Sequence, residues 1–188
     1  MKNQRKGSIR ALGIMTMLLA IPMAAFAASA EKSLDYDAMV KVPAGKFIYG
    51  KINAKQEIDL PAYQIDKYEV TNEQYAKIVL DHKYYPEETH MPAVFVSQVE
   101  AEDYCKSVGK RLPSEEEWEK AARGTDGRLY PWGNNFDETS AVTSETADGK
   151  VSEVGTREKG VSPYGAMDMA GNVWEWTTGF DERYSILR

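Results

Sequence analysis

Cys105 is the strongest nucleophile in this sequence and its single cysteine. A thiolate can attack an electrophile or bind a soft metal ion, whereas a thiol in apolar surroundings stays protonated and inert. Ala101, Tyr104 and Val108 share its helix face by spacing. This pattern favours a thiol packed in a buried stripe over a catalytic one. One cysteine also excludes an internal disulfide within these 188 residues.

Two histidines, His82 and His90, flank a segment that contains Glu87 and Glu88. Imidazole nitrogens and carboxylates together can bind a metal such as zinc. Their separation does not match the compact helical His pairs of zinc enzymes. Surface-loop histidines are therefore the favoured interpretation, and a metal site is the alternative.

Four acidic residues surround Trp118, namely Glu115, Glu116, Glu117 and Glu119. Paired carboxylates can perform general acid and base catalysis. The cluster also falls in the first turn of a predicted helix, where negative charge compensates the helix dipole. We favour the structural role, with Trp118 as the residue that anchors the helix to the core.

Residues 170–176 form the most unusual segment, since Trp174 and Trp176 flank Glu175 directly after a turn that contains Asn172. Alternation along a strand would send both tryptophans to one face and Glu175 to the other. Oxygen donors from Asn172, Glu175 and turn carbonyls suit Ca²⁺. The alternative is a strand whose tryptophans fill the core while Glu175 pairs with a cation.

Three helix starts share one capping pattern, in which a hydroxyl residue is followed three positions later by Glu or Gln. The hydroxyl accepts from a free backbone N–H, and the longer side chain bonds back to the cap residue. Gly109 and Gly124 are suited to the conformation that ends a helix. The pattern predicts helices that begin at Thr71 with Gln74, Ser97 with Glu100, and Ser114 with Glu117.

The N-terminal part of the chain carries strand patterns. Residues 39–42 and 46–50 contain β-branched and aromatic residues on both sides of a Pro-Ala-Gly turn, which predicts a β-hairpin. Residues 58–60 and 63–70 predict further strands. Beyond Gly124 no helical or two-residue period occurs until Ala166, which indicates a long irregular region of functional loops or ion-stabilised turns.

Residues 1–30 resemble a secretory signal peptide. The first ten residues hold four basic side chains and no acid, and an apolar run follows over residues 11–27 with small residues at two cleavage sites. A retained membrane anchor is the alternative, although Gly13, Thr16 and Pro22 interrupt the run. We expect cleavage and a soluble periplasmic or secreted protein with no membrane partner.

The remaining residues 31–188 suffice for one domain. The full chain has a formal net charge of −6, and removal of the leader with its four positive charges makes it −10. Such an acidic protein repels phosphate backbones and anionic lipids, which excludes nucleic acid as an expected partner.

A series of ordered motifs resembles one known family. The most specific is Gly109-Lys110-Arg111-Leu112-Pro113-Ser114-Glu115-Glu116-Glu117-Trp118-Glu119. The others lie, in order, at residues 39–47, 68–75, 91–94, 101–105, 121–124, 130–133, 154–155, 163–165 and 168–176. By these motifs the chain is similar to the sulfatase-modifying-factor, or formylglycine-generating-enzyme-like, family.

The resemblance implies an α+β fold like that of C-type lectins, with few regular elements and structural calcium. It implies calcium ligands at Asn172 and Glu175, and it leaves in question a second family site because residues 140–143 lack the expected Asn. Active members oxidise a sulfatase cysteine with a copper-binding cysteine pair near the C-terminus, and no cysteine follows Trp176 here. We therefore expect no catalytic residue, and copper only if a missing part supplies cysteines.

The family pattern continues past a strand ending in Arg into Gly-Gly-Ser-Trp, so we expect that this chain is truncated at its C-terminus. The leading functional hypothesis is an exported domain that serves the maturation or modification of a secreted protein, peptide or small molecule. The alternative is a noncatalytic lectin-like module that binds a peptide or glycan through Tyr130, Trp132 and Tyr164.

Overall fold

A computed structural model describes residues 34–50 and 53–178 of the chain. The described residues from Leu34 onward belong to one compact unit. The predicted leader, residues 1–30, and the strand expected at the end of the chain lie outside the described residues. Within the described residues, no helix has both the length and the apolar character needed to cross a membrane.

Four strands form two antiparallel pairs rather than the hairpin that the sequence predicted. Strand β1 (Met39–Val42) pairs with β4 (Tyr63–Asp66), and β2 (Gly45–Tyr49) pairs with β3 (Gln56–Leu60). The register places Val42 opposite Tyr63 and Gly45 opposite Leu60. The prediction that β1 pairs with β2 is therefore wrong.

The core explains this pairing. Val42 is completely buried, and Tyr63 and Ile65 of β4 pack against the same cluster. Pairing β1 with β4 therefore puts all three side chains into one core, which a β1–β2 hairpin would not do. The strand predicted over residues 63–70 also ends early, because the chain leaves β4 after Asp66.

Three α-helices follow, and each begins with the predicted capping box: α1 (Asn72–Ala76), α2 (Gln98–Ser107) and α3 (Glu115–Arg123). Helix α2 ends before Gly109 and α3 before Gly124, and both glycines have positive φ angles of 74° and 71°. These predictions are confirmed because capping depends on residues within one turn of each other.

Helix α3 is the centre of the fold. Its apolar face packs Trp118, Ala121 and Ala122 against Val42 and Met169. Its buried Lys120 donates hydrogen bonds to the carbonyl oxygens of Pro43 (2.9 Å) and Gly45 (2.6 Å). The helix therefore holds the link between β1 and β2 in place.

The acidic cluster of α3 has the structural role that the sequence favoured. Glu117 caps the helix and forms a bidentate ion pair with Arg111, at 2.6 and 2.7 Å. Buried Glu119 accepts from the Gly50 amide at 2.6 Å and from Arg123 at 2.5 Å.

The described chain beyond Gly124 is irregular, as predicted. Up to Thr178 its regular structure is limited to a 3₁₀ turn, Glu158–Gly160, and a bridge between Tyr130 and Gly133. A second apolar cluster of Tyr68, Val154 and Met167 packs this region against the end of β4.

Candidate binding cleft

A cleft of 890 Å³ is lined by four stretches of the chain. Each stretch contributes consecutive residues to the lining: Tyr63–Asp66 (β4), 92–96, 109–113 and 172–176. A pocket that touches one face of a strand meets every second residue, because side chains alternate. This cleft meets all four residues of β4 and therefore runs along the strand edge.

The edge of β4 that faces the cleft carries main-chain groups without a strand partner in the described part of the chain. Lys67 donates its amide to Ala38, so residues 38 and 67 form a hydrogen-bonded pair. In an antiparallel ladder such pairs alternate with unbonded ones. The register pairs Met39 with Asp66 and Lys41 with Gln64, and both are unbonded pairs. The backbone N–H groups of Gln64 and Asp66 therefore point away from β1. They can pair with an added strand.

Residues 172–176 also line the cleft, and hydrogen bonds join the segment that ends at Thr178 to neighbouring loops. Trp176 donates its indole N–H to the Val96 carbonyl at 2.8 Å, and the Thr178 amide donates to Pro113 at 2.8 Å. Trp174 is 66% exposed, so the tryptophans do not both fill the core as one alternative required. The described residues 173–177 also form no strand, because these hydrogen bonds join them to loops instead.

Cys105 lines the cleft instead of packing in a buried stripe. Of the predicted stripe only Tyr104 is buried, whereas Val108 is 37% exposed and Cys105 is half-buried. The stripe prediction is wrong because helix α2 turns this face toward the cleft rather than toward the core. Burial and the charge of Asp66 raise the pKa of the Cys105 thiol, so it stays protonated at neutral pH.

Two carboxyl groups, those of Glu69 and Glu175, line the cleft, and Asp168 lies close enough to Glu69 to interact with its charge. Glu69 accepts hydrogen bonds from the Asn172 amide at 2.6 Å and the Val173 amide at 3.2 Å. Burial, followed by the charges of Glu175 and Asp168, raises the pKa of Glu69 well above its usual value. Burial also raises the pKa of Asp168.

Glu175 accepts a hydrogen bond from the indole N–H of Trp118 at 2.9 Å. Burial is the main reason that the pKa of Glu175 rises to about 7, and the Trp118 hydrogen bond opposes this rise. The cleft lining therefore contains two acidic groups, Glu69 and Glu175, whose ionised forms are poorly solvated. Within the described residues neither Glu69 nor Glu175 forms an ion pair.

The predicted calcium ligands Asn172 and Glu175 both carry oxygen donors. Asn172 adopts a positive φ of 64°, and its side-chain oxygen accepts from the Ser152 amide at 2.9 Å, which leaves a second lone pair. In the described chain no group of three His, Cys, Asp or Glu side chains can hold a metal ion. A calcium site here must therefore combine Asn172 and Glu175 with carbonyl oxygens. The site stays a prediction.

The two histidines contact different aromatic side chains. His82 bonds the Asn72 side-chain oxygen at 2.7 Å and meets the ring of Tyr75 at 4.9 Å. His90 stacks on Tyr36 with ring centroids 4.7 Å apart. Both are half-buried rather than on the surface, because aromatic side chains cover them.

The aromatic residues of the predicted lectin-like surface have different packing partners. Tyr130 and Trp132 stack on each other, whereas Tyr164 packs against the core cluster of α3. Phe136 joins the Tyr130–Trp132 pair instead, with its ring centroid 5.8 Å from that of Tyr130. Sequence spacing could not predict which of these rings contact each other.

Glu69 and Asp168 were missed by the sequence analysis. The one available signal for Glu69 is an acidic residue inside the apolar segment Tyr68–Val70 at the end of a strand pattern. No local signal marks Asp168. Its positive φ of 59° and its hydrogen bond from the Gly155 amide, at 2.5 Å, exist only in the folded chain.

Comparison with known proteins identifies similar domains. The family model of the sulfatase-modifying factor enzyme 1-like domain matches residues 24–185. The inactive C-alpha-formylglycine-generating enzyme 2 of Bos taurus is 46% identical over 118 residues, which are 54% of this chain and 38% of that protein. The formylglycine-generating enzyme of Mycobacterium tuberculosis is 40% identical over 98 residues, 46% of this chain and 33% of that enzyme.

A longer alignment reaches the uncharacterized protein YfmG of Bacillus subtilis, 28% identical over 201 aligned positions. It covers 75% of this chain and 41% of that protein. The chain thus spans about two fifths or less of the length of these relatives.

Proposed function

The chain belongs to the sulfatase-modifying factor family, and from this premise we propose that it is an exported, noncatalytic domain that holds a secreted polypeptide or metabolite during maturation or modification. The cleft along β4 carries this proposal. It combines unpaired main-chain groups with apolar and aromatic walls, the chemistry that recognises an extended polypeptide.

The noncatalytic part of the proposal rests on cysteine chemistry. Copper prefers thiolate ligands, and the 188 residues contain one thiol, whose pKa is raised. The residues present therefore do not fit the copper centre that the resemblance implies, and no step of the proposal uses copper. Two similar proteins named as inactive formylglycine-generating enzymes support a role without oxidation.

Export is proposed from residues 1–30, whose basic start and apolar run are typical of secretory leaders. Cleavage would release a periplasmic or secreted protein. The measurement is the intact mass of the protein recovered outside the cytoplasm. A mass that retains the first thirty residues would reject cleavage.

Calcium completes the proposal as a structural ion. Asn172 and Glu175 would hold it together with carbonyl oxygens, and bound Ca²⁺ would supply the positive charge that the buried carboxyl groups lack. This role would support the cleft wall without taking part in a reaction.

Binding to tiled peptides from secreted proteins tests the cleft. Gln64→Pro removes the outward N–H of β4, and we expect it to weaken binding about tenfold. Lys41→Pro is the matched control, because it removes the outward N–H of β1 on the opposite edge of the same pair. Absence of peptide binding, or equal weakening by both variants, would refute recognition along β4.

A further inference from the structure

Phe95 has a backbone conformation that does not suit its residue type. Its φ is positive, at 59°. A side chain clashes with the backbone in this region, and besides Gly only Asn and Asp tolerate it well. The other non-glycine residues with positive φ in the described chain are Asp148, Asp168 and Asn172. Phe95 is therefore the exception among them.

The side chain of Phe95 is also fully exposed. Among the large apolar residues of the described chain it has the greatest exposure, ahead of Leu80 at 83% and Trp174 at 66%. An aromatic side chain in water lacks the stabilisation that it would gain by burial. Neither backbone conformation nor core packing therefore favours a phenylalanine at this position.

Hydrogen bonds on both sides of Phe95 hold it at the cleft, whose lining includes it. On one side the Ala93 amide donates to the Val70 carbonyl at 2.8 Å, and on the other the Val96 carbonyl accepts from the Trp176 indole at 2.8 Å. A strained residue persists only where its surroundings fix it, and such residues concentrate at sites that bind ligands. The unfavourable conformation thus points to a role of Phe95 in binding.

The charges of the cleft lining indicate which side chain Phe95 would contact. The two basic residues of the lining, Lys110 and Arg111, are already in ion pairs, with Asp66 at 2.7 Å and Glu117 at 2.6 Å. They therefore attract an acidic side chain only weakly. A basic side chain gains little from an exposed phenylalanine ring. An aliphatic or aromatic side chain gains most, because it removes apolar surface from water on both partners.

We propose that Phe95 determines the specificity of the cleft, by selecting polypeptides that place a large aliphatic or aromatic side chain on its ring. Trp174, the other exposed aromatic residue of the lining, adds to this apolar surface. The inference rests on the function proposed for the cleft, because the unpaired edge of β4 recognises the main chain of the same polypeptide. It adds the class of side chain that the partner must present.

A double-mutant cycle tests this contact. The tiled peptide that binds the unchanged chain most tightly is measured again with Phe95→Ala, and we expect its affinity to fall about tenfold. Replacing the large apolar residue of the peptide by Ala should cause a similar loss with the unchanged chain and little further loss with Phe95→Ala. Phe136→Ala is the matched control, because Phe136 is 56% exposed and does not line the cleft.

Phe95→Gly separates binding from folding. Glycine adopts a positive φ without a steric penalty, so we expect the melting temperature not to fall while peptide affinity falls about tenfold. A melting temperature clearly below that of Phe136→Ala would show that Phe95 serves the fold, and would overturn the proposal.

The remaining outcomes distinguish this inference from the proposed function. If no tiled peptide binds the unchanged chain, recognition along β4 fails and the role of Phe95 fails with it. If peptides bind and Phe95→Ala binds them equally well, the role of Phe95 alone is refuted. A loss of affinity confined to peptides that present a lysine, with apolar peptides unaffected, would also refute it.

Discussion

At the scale of single residues, the most unusual feature is the set of carboxyl groups in and beside the cleft lining. Glu69 is 9% exposed, and within the described residues it accepts hydrogen bonds from the amide groups of Asn172 and Val173. A buried carboxylate without a cation is costly, and the protein responds with raised pKa values at Glu69 and Glu175. A bound cation would remove this cost.

Calcium should therefore stabilise the folded chain. At a hundredfold excess over its dissociation constant, a ligand that binds only the folded state adds about 2.7 kcal/mol. We expect the melting temperature to rise with added Ca²⁺ and to fall on chelation. Glu175→Gln should abolish the response, and the exposed control Glu138→Gln should retain it. An identical melting temperature with and without chelator would contradict the calcium prediction.

Cys105 should react slowly with alkylating reagents. Its raised pKa lowers the thiolate fraction at any pH below that pKa, and the thiolate is the reacting species. We expect slower alkylation by iodoacetamide at pH 8 than for a free cysteine, measured by mass spectrometry against the unfolded chain. Alkylation as fast as in the unfolded chain would show a reactive thiol.

At the scale of elements, helix α3 combines an N-terminal capping box, an ion pair with Arg111 and a face in the hydrophobic core. Its N-cap Ser114 accepts from the Glu117 amide, while Glu117 also pairs with Arg111. Tyr63 of β4 donates to the Glu117 carbonyl oxygen. The start of one helix thus fixes the strand that borders the cleft.

The Glu117–Arg111 ion pair should make the free energy of unfolding depend on pH in a defined direction. The Arg111 hydrogen bond is the main cause that lowers the pKa of Glu117. The stabilisation by this ion pair is therefore present above the usual glutamate pKa. It is lost as the pH falls through the lowered pKa of Glu117 in the folded chain. Glu117→Gln keeps the capping pattern and should cost about 1 kcal/mol at neutral pH, discounted for the exposure of Arg111.

Urea unfolding at neutral pH and at pH 3 measures this effect. The cost of Glu117→Gln should shrink at the lower pH, because the carboxylate of the unchanged chain is then protonated. Ser114→Ala is the matched control, since losing a cap costs about 1 kcal/mol at both pH values. An equal cost of Glu117→Gln at both values would show that the ion pair adds nothing.

At the scale of the whole molecule, an open strand edge and an apolar cleft coincide on an acidic chain. An unpaired edge promotes association with other strands. The formal net charge of −6 opposes association between copies of the chain. The same edge therefore suits a polypeptide partner better than a second copy.

A charge placed on β4 should reduce association of the purified protein. We expect Gln64→Lys to lower self-association at high concentration and in high salt, where screening weakens the net charge. Light scattering measures the effect. Gln56→Lys is the matched control, because Gln56 is exposed on β3 and does not line the cleft. Similar scattering from both variants would show that β4 does not mediate association.

The sequence by itself determined the features that depend on neighbouring residues. The capping boxes join positions three residues apart, and Gly109 and Gly124 end their helices through their own backbone conformation. The ordered motifs also identified the family, because they extend over most of the chain. The irregular region after Gly124 followed from the absence of any period in that segment.

Only the tertiary structure decided which distant residues meet. Strand β1 pairs with β4 rather than β2, Glu69 bonds to Asn172 across 103 positions, and the ring of Phe136 packs beside Tyr130. Local spacing contains no information on such contacts, because core packing selects among partners that are locally equivalent. The cleft belongs to this second group, since four stretches far apart in sequence enclose it.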